Sequence, residues 1–261
     1  MHERPAGGLS GRAPTRRPDR PLVYGHRGAS ARAPENTQRA FALAFDEGAD
    51  GIELDVRLSR DGAVVVCHDP TLERLAKRPG VVAQLDAREL THIDVGGDTI
   101  PLLDDVLDAA TARGGRVNVE VKGDVPDRLV TSRAVARLLR ARSARDREAI
   151  FVSSFRPEML AAMRVAGAGV PMAFLFDLEN TGPARAAILR RVFLPDGLHP
   201  QDRACTPQAI ARWRARGLFV NAWTIDDPDR IRSLSAAGVD GIITNDPRGA
   251  LSASSPQAEA R

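Results

Sequence analysis

Two short runs place acids where a buried strand would carry none. In Ile52-Glu53-Leu54-Asp55-Val56-Arg57 apolar and charged residues alternate, so Ile52, Leu54 and Val56 share one strand face and Glu53 and Asp55 the other. At the usual rise of a strand those two carboxylates stand roughly 6.6 Å apart. Val117-Asn118-Val119-Glu120-Val121-Lys122 repeats the alternation and adds a third carboxylate, Glu120, and an ammonium, Lys122. In a parallel sheet covered on both sides neither face meets bulk water, and an unpaired buried anion costs several kcal/mol. A cation must therefore sit among Glu53, Asp55 and Glu120. Three hard oxygen donors suit one divalent ion, Mg²⁺ or Ca²⁺, with water and substrate oxygens completing its shell. The plainer alternative is a pair of solvated, salt-bridged faces. The uniformly aliphatic opposite faces, and acids where a wet sheet mixes Thr, Ser and Lys, argue against it. No Cys or His cluster points to zinc.

Two histidines stand beside these acids. His26 ends the run Leu22-Val23-Tyr24-Gly25, and His68 follows Val64-Val65-Val66-Cys67. Imidazole titrates near neutral pH, so a pair flanking one reacting centre can serve as base and acid, in an order the residues leave open. Arg27 and Lys122 add positive charge at the same place, which fits an anionic substrate. A guanidinium, an ammonium and a metal together suit phosphate better than carboxylate. His2, His92 and His199 lack this context and read as structural.

The elements that must gather these residues follow a rhythm. Strands are expected over 22–25, 52–57, 117–121, 150–153, 172–175, 192–198, 219–224 and 241–244. Helices are expected over 38–47, 101–112, 127–142, from Pro157, over 183–191, 207–216 and 228–237, the first capped by Asn36 or Thr37. Arg60-Asp61-Gly62 signals a hairpin whose return strand, 63–67, delivers His68. Residues 70–100 read as an irregular excursion. Eight strands alternating with helices make an eight-stranded parallel (β/α)8 barrel, with the hairpin inserted after strand 2. An open doubly wound sheet is the competitor. Polar residues recur at the ends of strands spread along the whole chain (His26, Asp55, Glu120, Ser154, Trp223, Asn245), and only a barrel gathers such ends at one mouth.

With 261 residues, 43% of them hydrophobic, the chain can bury one such core. Its net charge of +3 resides in residues 1–20, where Arg4, Arg12, Arg16, Arg17 and Arg20 outnumber Glu3 and Asp19. The neutral remainder offers no footprint for nucleic acid. Residues 1–20 are expected to be a disordered basic tail, 21–250 the barrel domain, and 251–261 a flexible tail. Cys67 and Cys205 imply no disulfide framework. No secretory signal and no apolar run of about 18 residues is present, so the expected setting is cytoplasmic, without a membrane segment.

In their order and spacing, His26-Arg27-Gly28, Pro34-Glu35-Asn36-Thr37, Glu53-Leu54-Asp55, Asp61-Gly62 leading to His68-Asp69, Glu120-Val121-Lys122, Trp223-Thr224 and Gly241 to Pro247 resemble the glycerophosphodiester phosphodiesterase family. The resemblance runs from about Leu22 to Arg248. It implies a barrel fold, a divalent metal, and hydrolysis of a small-molecule glycerophosphodiester to glycerol 3-phosphate and an alcohol. It further implies His26 and His68 as the acid–base pair, Glu53, Asp55 and Glu120 as metal ligands, and Arg27 and Lys122 as phosphate contacts. Trp223 would line the glycerol side, and Glu35 would orient the first loop. Pro101-Leu102-Leu103 departs from the more usual Pro-Thr-Leu, outside the chemistry. A lysophospholipase D-like or sphingomyelinase D-like relative on the same barrel is the second reading. It needs an apolar route, for which Phe155, Met172, Phe174 and Phe176 are the candidates. A catalytically silent binding protein is a third reading, at odds with the intact set of histidines and acids.

Overall fold

The computed structural model describes residues 16–178 and 195–255. Eight parallel strands close on themselves. They are β1 (Leu22–His26), β2 (Gly51–Leu58), β4 (Arg116–Val121), β5 (Ile150–Ser154), β6 (Met172–Phe176), β7 (Gly197–Pro200), β8 (Phe219–Ala222) and β9 (Gly241–Thr244). Closure is complete because β1 pairs with β2 on one side, Tyr24 opposite Gly51, and with β9 on the other, Leu22 opposite Gly241. The short β3 (Val64–Val66) pairs antiparallel to β2 and stands outside the barrel, as the hairpin signal predicts. The expected helix over 183–191 and the start of the expected strand at 192 lie outside the described residues.

The alternation read from the sequence sorts side chains as a barrel requires. Ile52, Leu54, Val56, Val117, Val119 and Val121 face outward and pack under the helices Leu103–Ala112, Arg128–Ala141 and Pro157–Val165. Inward, Leu22, Tyr24, Phe151, Ala173, Phe219 and Ile243 fill the barrel floor. Phe151 meets Tyr24 and Phe219 edge-on, with ring centroids 5.6 and 5.8 Å apart. Such pairs contribute about 0.5–1.5 kcal/mol beyond the area they bury. Glycines face the bulky rings: a Cβ at Gly197 would lie 2.4 Å from the Phe219 ring.

The helix ends follow side-chain chemistry. Thr37, Asp127, Thr206, Asp227 and Asp246 accept hydrogen bonds from the first turns of their helices. The helix expected from Pro101 starts at Leu103, because the Pro101 carbonyl accepts the Val66 N–H at 2.9 Å. Leu102 gives that helix no side-chain cap.

Three expectations are corrected. The excursion 70–100 has its own core, in which Leu72, Val82, Leu90, Ile93, Val95 and Ile100 pack against Val65 and Cys67. The end of the basic tail is pinned, with Arg17 and Arg20 donating to Asp50 at 2.7 and 2.6 Å. The flexible tail expected from 251 is helical through Ser254 in Pro247–Ser254, because Ala250 and Ala253 pack against a core that includes Ile231, Leu234 and Ile242. Both cysteines are free and buried. Among the described residues no helix is long and apolar enough to cross a membrane.

His199 is structural, as its context implies. It is fully buried on β7, between the Asn118 and Asn221 amides at 3.5 and 3.2 Å. Burial pushes its pKa down to about 3. Between that value and about 6.5 the unfolded chain binds a proton that the folded chain does not, so stability falls with falling pH in this window. The expected outcome is that the stability advantage of wild type over His199→Gln shrinks by up to about 1.4 kcal/mol per pH unit from pH 6 to 4, read by urea unfolding. A pH-independent difference would contradict a neutral buried ring.

Candidate active site

Register brings the acids together. β2 and β4 run parallel with Asp55 opposite Glu120 and Glu53 opposite Asn118, while His26 on β1 stands opposite Glu53. One carboxylate oxygen from each of Glu53, Asp55 and Glu120 lies within 4.8 Å of the other two, and all three residues are buried. The first loop holds an unusual shape to reach this cluster. Arg27 and Gly28 both have left-handed backbones, at φ 57° and 85°. A Cβ at Gly28 would strike the Ala40 backbone at 2.5 Å, so only glycine lets the loop lie on its helix. The Arg27 N–H then donates to the Glu53 carboxylate at 3.1 Å. Asn36, also left-handed, donates to Asp55 at 2.9 Å, leaving Thr37 to cap the helix Gln38–Asp46.

The charges are unequally matched. Lys122 Nζ lies 2.8 Å from Glu120 and 3.2 Å from Asp55. Arg27 Nε lies 3.3 Å from Asp55, and its Nη1 donates to Glu35 at 2.8 Å. Burial opposes ionisation of Asp55, but Lys122, Arg27 and His68 together outweigh it and hold this carboxyl low. Burial, then the charges of Asp55 and Glu120, push Glu53 well above the usual carboxylate range; Glu120 is also raised, by burial first. Two raised carboxyls beside a third that stays charged mark a place short of positive charge. Among the described residues this is the only cluster of potential ligands of this kind, and its oxygen-only donor set fits Mg²⁺ or Ca²⁺.

The histidines arrive from different directions. His26 ends β1 and its Nδ1 meets the Asn245 side-chain oxygen at 2.7 Å. Burial, then the Arg27 charge, push its pKa down. His68 is set by the hairpin: the Cys67 N–H donates to the Asp55 carbonyl at 2.9 Å, and the buried Arg57 guanidinium donates to the His68 carbonyl at 2.6 Å. His68 Nδ1 meets the Asp69 carboxylate at 2.6 Å. Arg74, from the excursion, bonds both Asp69 and Glu35, so Glu35 orients Arg27 while tying the excursion to the first loop.

His26, Arg27, Glu53, His68, Glu120, Lys122 and Trp223 line one cavity of about 170 Å³ at the barrel mouth. Trp223 packs edge-on against Phe155, which also lines it. Met172, Phe174 and Phe176 do not; they share the outward face of β6, where Phe176 meets Trp213. A larger cavity, about 330 Å³, lies outside the barrel beside helix Arg128–Ala141. The buried cation on its wall, Arg57, is fully engaged with the His68 carbonyl and Asp124, so the chemistry lies in the smaller cavity. Asn36, Asp69, Arg74 and Arg57 escaped the sequence reading. Asp69 and Asn36 sit inside recognised motifs, but Arg57 and Arg74 carry no local signal.

A closed β/α barrel with two histidines, two cations and an acidic triad at its mouth defines a metal-dependent phosphodiester hydrolase. The profile of the Glycerophosphoryl diester phosphodiesterase family matches residues 26–248, and the chain belongs to that family. It is 31% identical over 235 residues to a glycerophosphodiester phosphodiesterase of Caldanaerobacter subterraneus, covering 87% of this chain and 94% of the relative. A phosphodiesterase structure from Oleispira antarctica in complex with the product sn-glycerol-3-phosphate superposes with a TM-score of 0.80 at 27% identity, covering 90% and 96% of the two chains. The glycerophosphodiester phosphodiesterase of Thermotoga maritima superposes with a TM-score of 0.74 at 30% identity, covering 87% and 96%.

Relieving the repulsion should separate stability from metal binding. Glu53→Gln is expected to raise the melting temperature of chelator-treated protein, by about 2–4 °C per kcal/mol of repulsion removed. It should also abolish the further rise that Mg²⁺ or Ca²⁺ gives wild type. Differential scanning calorimetry with and without metal reads both; a wild-type metal response in the variant would exclude Glu53 as a ligand.

Proposed function

We propose that the chain hydrolyses glycerophosphodiesters to sn-glycerol 3-phosphate and an alcohol, with one Mg²⁺ or Ca²⁺ held by Glu53, Asp55 and Glu120. The observation that carries this reading is that the histidine pair, Arg27 and Lys122 share one small cavity with Glu53 and Glu120. The product named for the Oleispira antarctica neighbour supports the product class. When bound, the metal supplies charge that polarises the phosphoryl oxygens. Arg27 and Lys122 stabilise the same developing charge, and their ion pairs with the acids hold them in place beforehand.

The two imidazoles have unlike partners, which supports unlike roles. His26 is held by a neutral amide, and burial beside Arg27 favours its uncharged ring, so it takes the proton of the nucleophile. His68 is held by the Asp69 carboxylate and takes the complementary role, protonating the departing alcohol. The glycerol hydroxyl beside the phosphate is already close to phosphorus, which favours its attack and a cyclic phosphate; the alcohol leaves with the proton from His68, and water then opens the ring to glycerol 3-phosphate, giving its proton to His68 while His26 returns one to the departing ring oxygen. Trp223 and Phe155 form the wall against the glycerol carbons.

A cavity of about 170 Å³ suits glycerol and phosphate rather than an acyl chain, and the aromatic side chains of β6 open no route for one. We take residues 21–250 with the helix to Ser254 as the catalytic unit. A reducing, cytoplasmic setting agrees with two free buried cysteines. The test is turnover of glycerophosphocholine against lysophosphatidylcholine, with and without chelator. The expected result is chelator-sensitive turnover favouring glycerophosphocholine, reduced about 10²-fold or more in folded His26→Ala and His68→Ala. Preference for lysophosphatidylcholine would move the enzyme to the second substrate class, and near-native turnover in either variant would remove that histidine from the mechanism.

A further inference from the structure

Asp226, on the loop after β8, is not among the residues lining the cavity, yet its carboxylate is used in full. One oxygen accepts the Asn245 backbone N–H and the Thr244 hydroxyl, both at 2.8 Å. The other accepts the Asn245 side-chain amide N–H at 2.6 Å. A carboxylate only accepts, so the amide nitrogen of Asn245 must face Asp226 and its oxygen must face the other way. Chemistry thus fixes an orientation that atom positions alone leave ambiguous. That oxygen meets His26 Nδ1 at 2.7 Å and also accepts the Ser30 hydroxyl at 2.9 Å. An acceptor at Nδ1 requires a proton there, and a neutral imidazole has only one.

We propose that Asp226 is a positioning residue that sets the tautomer of His26 through Asn245, keeping Nδ1 protonated and the Nε2 lone pair free for the cavity. This deepens the reading of His26 as the base and rests on it. In the step it serves, the attacking hydroxyl gives its proton to Nε2 while its oxygen forms the bond to phosphorus. His26 becomes imidazolium, and Nδ1–H stays on Asn245 throughout. If Asn245 turned over, its amide would donate to Nδ1, the proton would sit on Nε2, and the ring could not accept another there.

Asp226→Asn tests this with little change of shape. Its new amide can donate to the Asn245 oxygen and turn that side chain over. Long-range ¹H–¹⁵N correlation spectra of the free protein, above the titration range of histidine, read the tautomer without substrate; His26→Gln assigns the signal. The expected result is Nδ1–H in wild type and a shift toward Nε2–H in Asp226→Asn. With glycerophosphocholine, kcat should fall by about tenfold or more while KM stays within about twofold. Adding Asn245→Asp to Asp226→Asn exchanges amide and carboxylate, returns an acceptor to His26 Nδ1, and should restore the tautomer. Nε2–H in wild type, or an unchanged tautomer in folded Asp226→Asn, would overturn the proposal. A shifted tautomer with unchanged turnover would support the positioning and instead remove the base role from His26.

Discussion

The constraint on which the site depends is repulsion that the fold does not let relax. Asp55 and Glu120 stand opposite one another on parallel strands, and Glu53 shares the inward face of Asp55 two residues away. A closed barrel has no free edge along which these strands can part. The negative charge must be answered where it stands. Lys122 and Arg27 answer part of it and keep Asp55 ionised, while Glu53 and Glu120 remain raised. The remaining demand is what a hard dication would meet, and with it in place positive charge would outweigh negative at the mouth, as an anionic phosphodiester requires.

Around that centre the chain builds two unlike supports for two like side chains. Asn245 holds His26 through a neutral amide; Asp69 holds His68 through a carboxylate. The histidines therefore differ by partner before substrate arrives, as an acid–base pair requires. The supports also come from different parts of the chain. The last βα loop serves His26, whereas the hairpin and its excursion serve His68. Arg74 joins the two sides through Glu35 and Asp69, which gives the excursion a place in the site as well as a core of its own.

The barrel and the residues gathered at its mouth were legible because each rests on a local pattern. Alternation in 52–57 and 117–122 fixed which face held the acids, and the parallel register needed to align them follows from βα repetition. Proline and capping signals placed most helices within a few residues. The supporting residues were less legible. Arg57 reads as one more inward charge on β2, and only tertiary structure brings it to the His68 carbonyl. Arg74 lies 39 residues from Glu35 and Asp226 19 from Asn245, in stretches whose composition marks only surface loops. The chain ends misled for a related reason: Arg17, Arg20, Ala250 and Ala253 look featureless until Asp50 and the core beneath the last helix are in place.

The most direct test is a crystal of the protein grown with Mn²⁺ as a stand-in for the native ion, with diffraction data collected at the manganese absorption edge. The account predicts a single anomalous peak at the barrel mouth, about 2.0–2.6 Å from an oxygen of each of Glu53, Asp55 and Glu120. No peak there, or an ion bound with these three side chains turned apart, would contradict it.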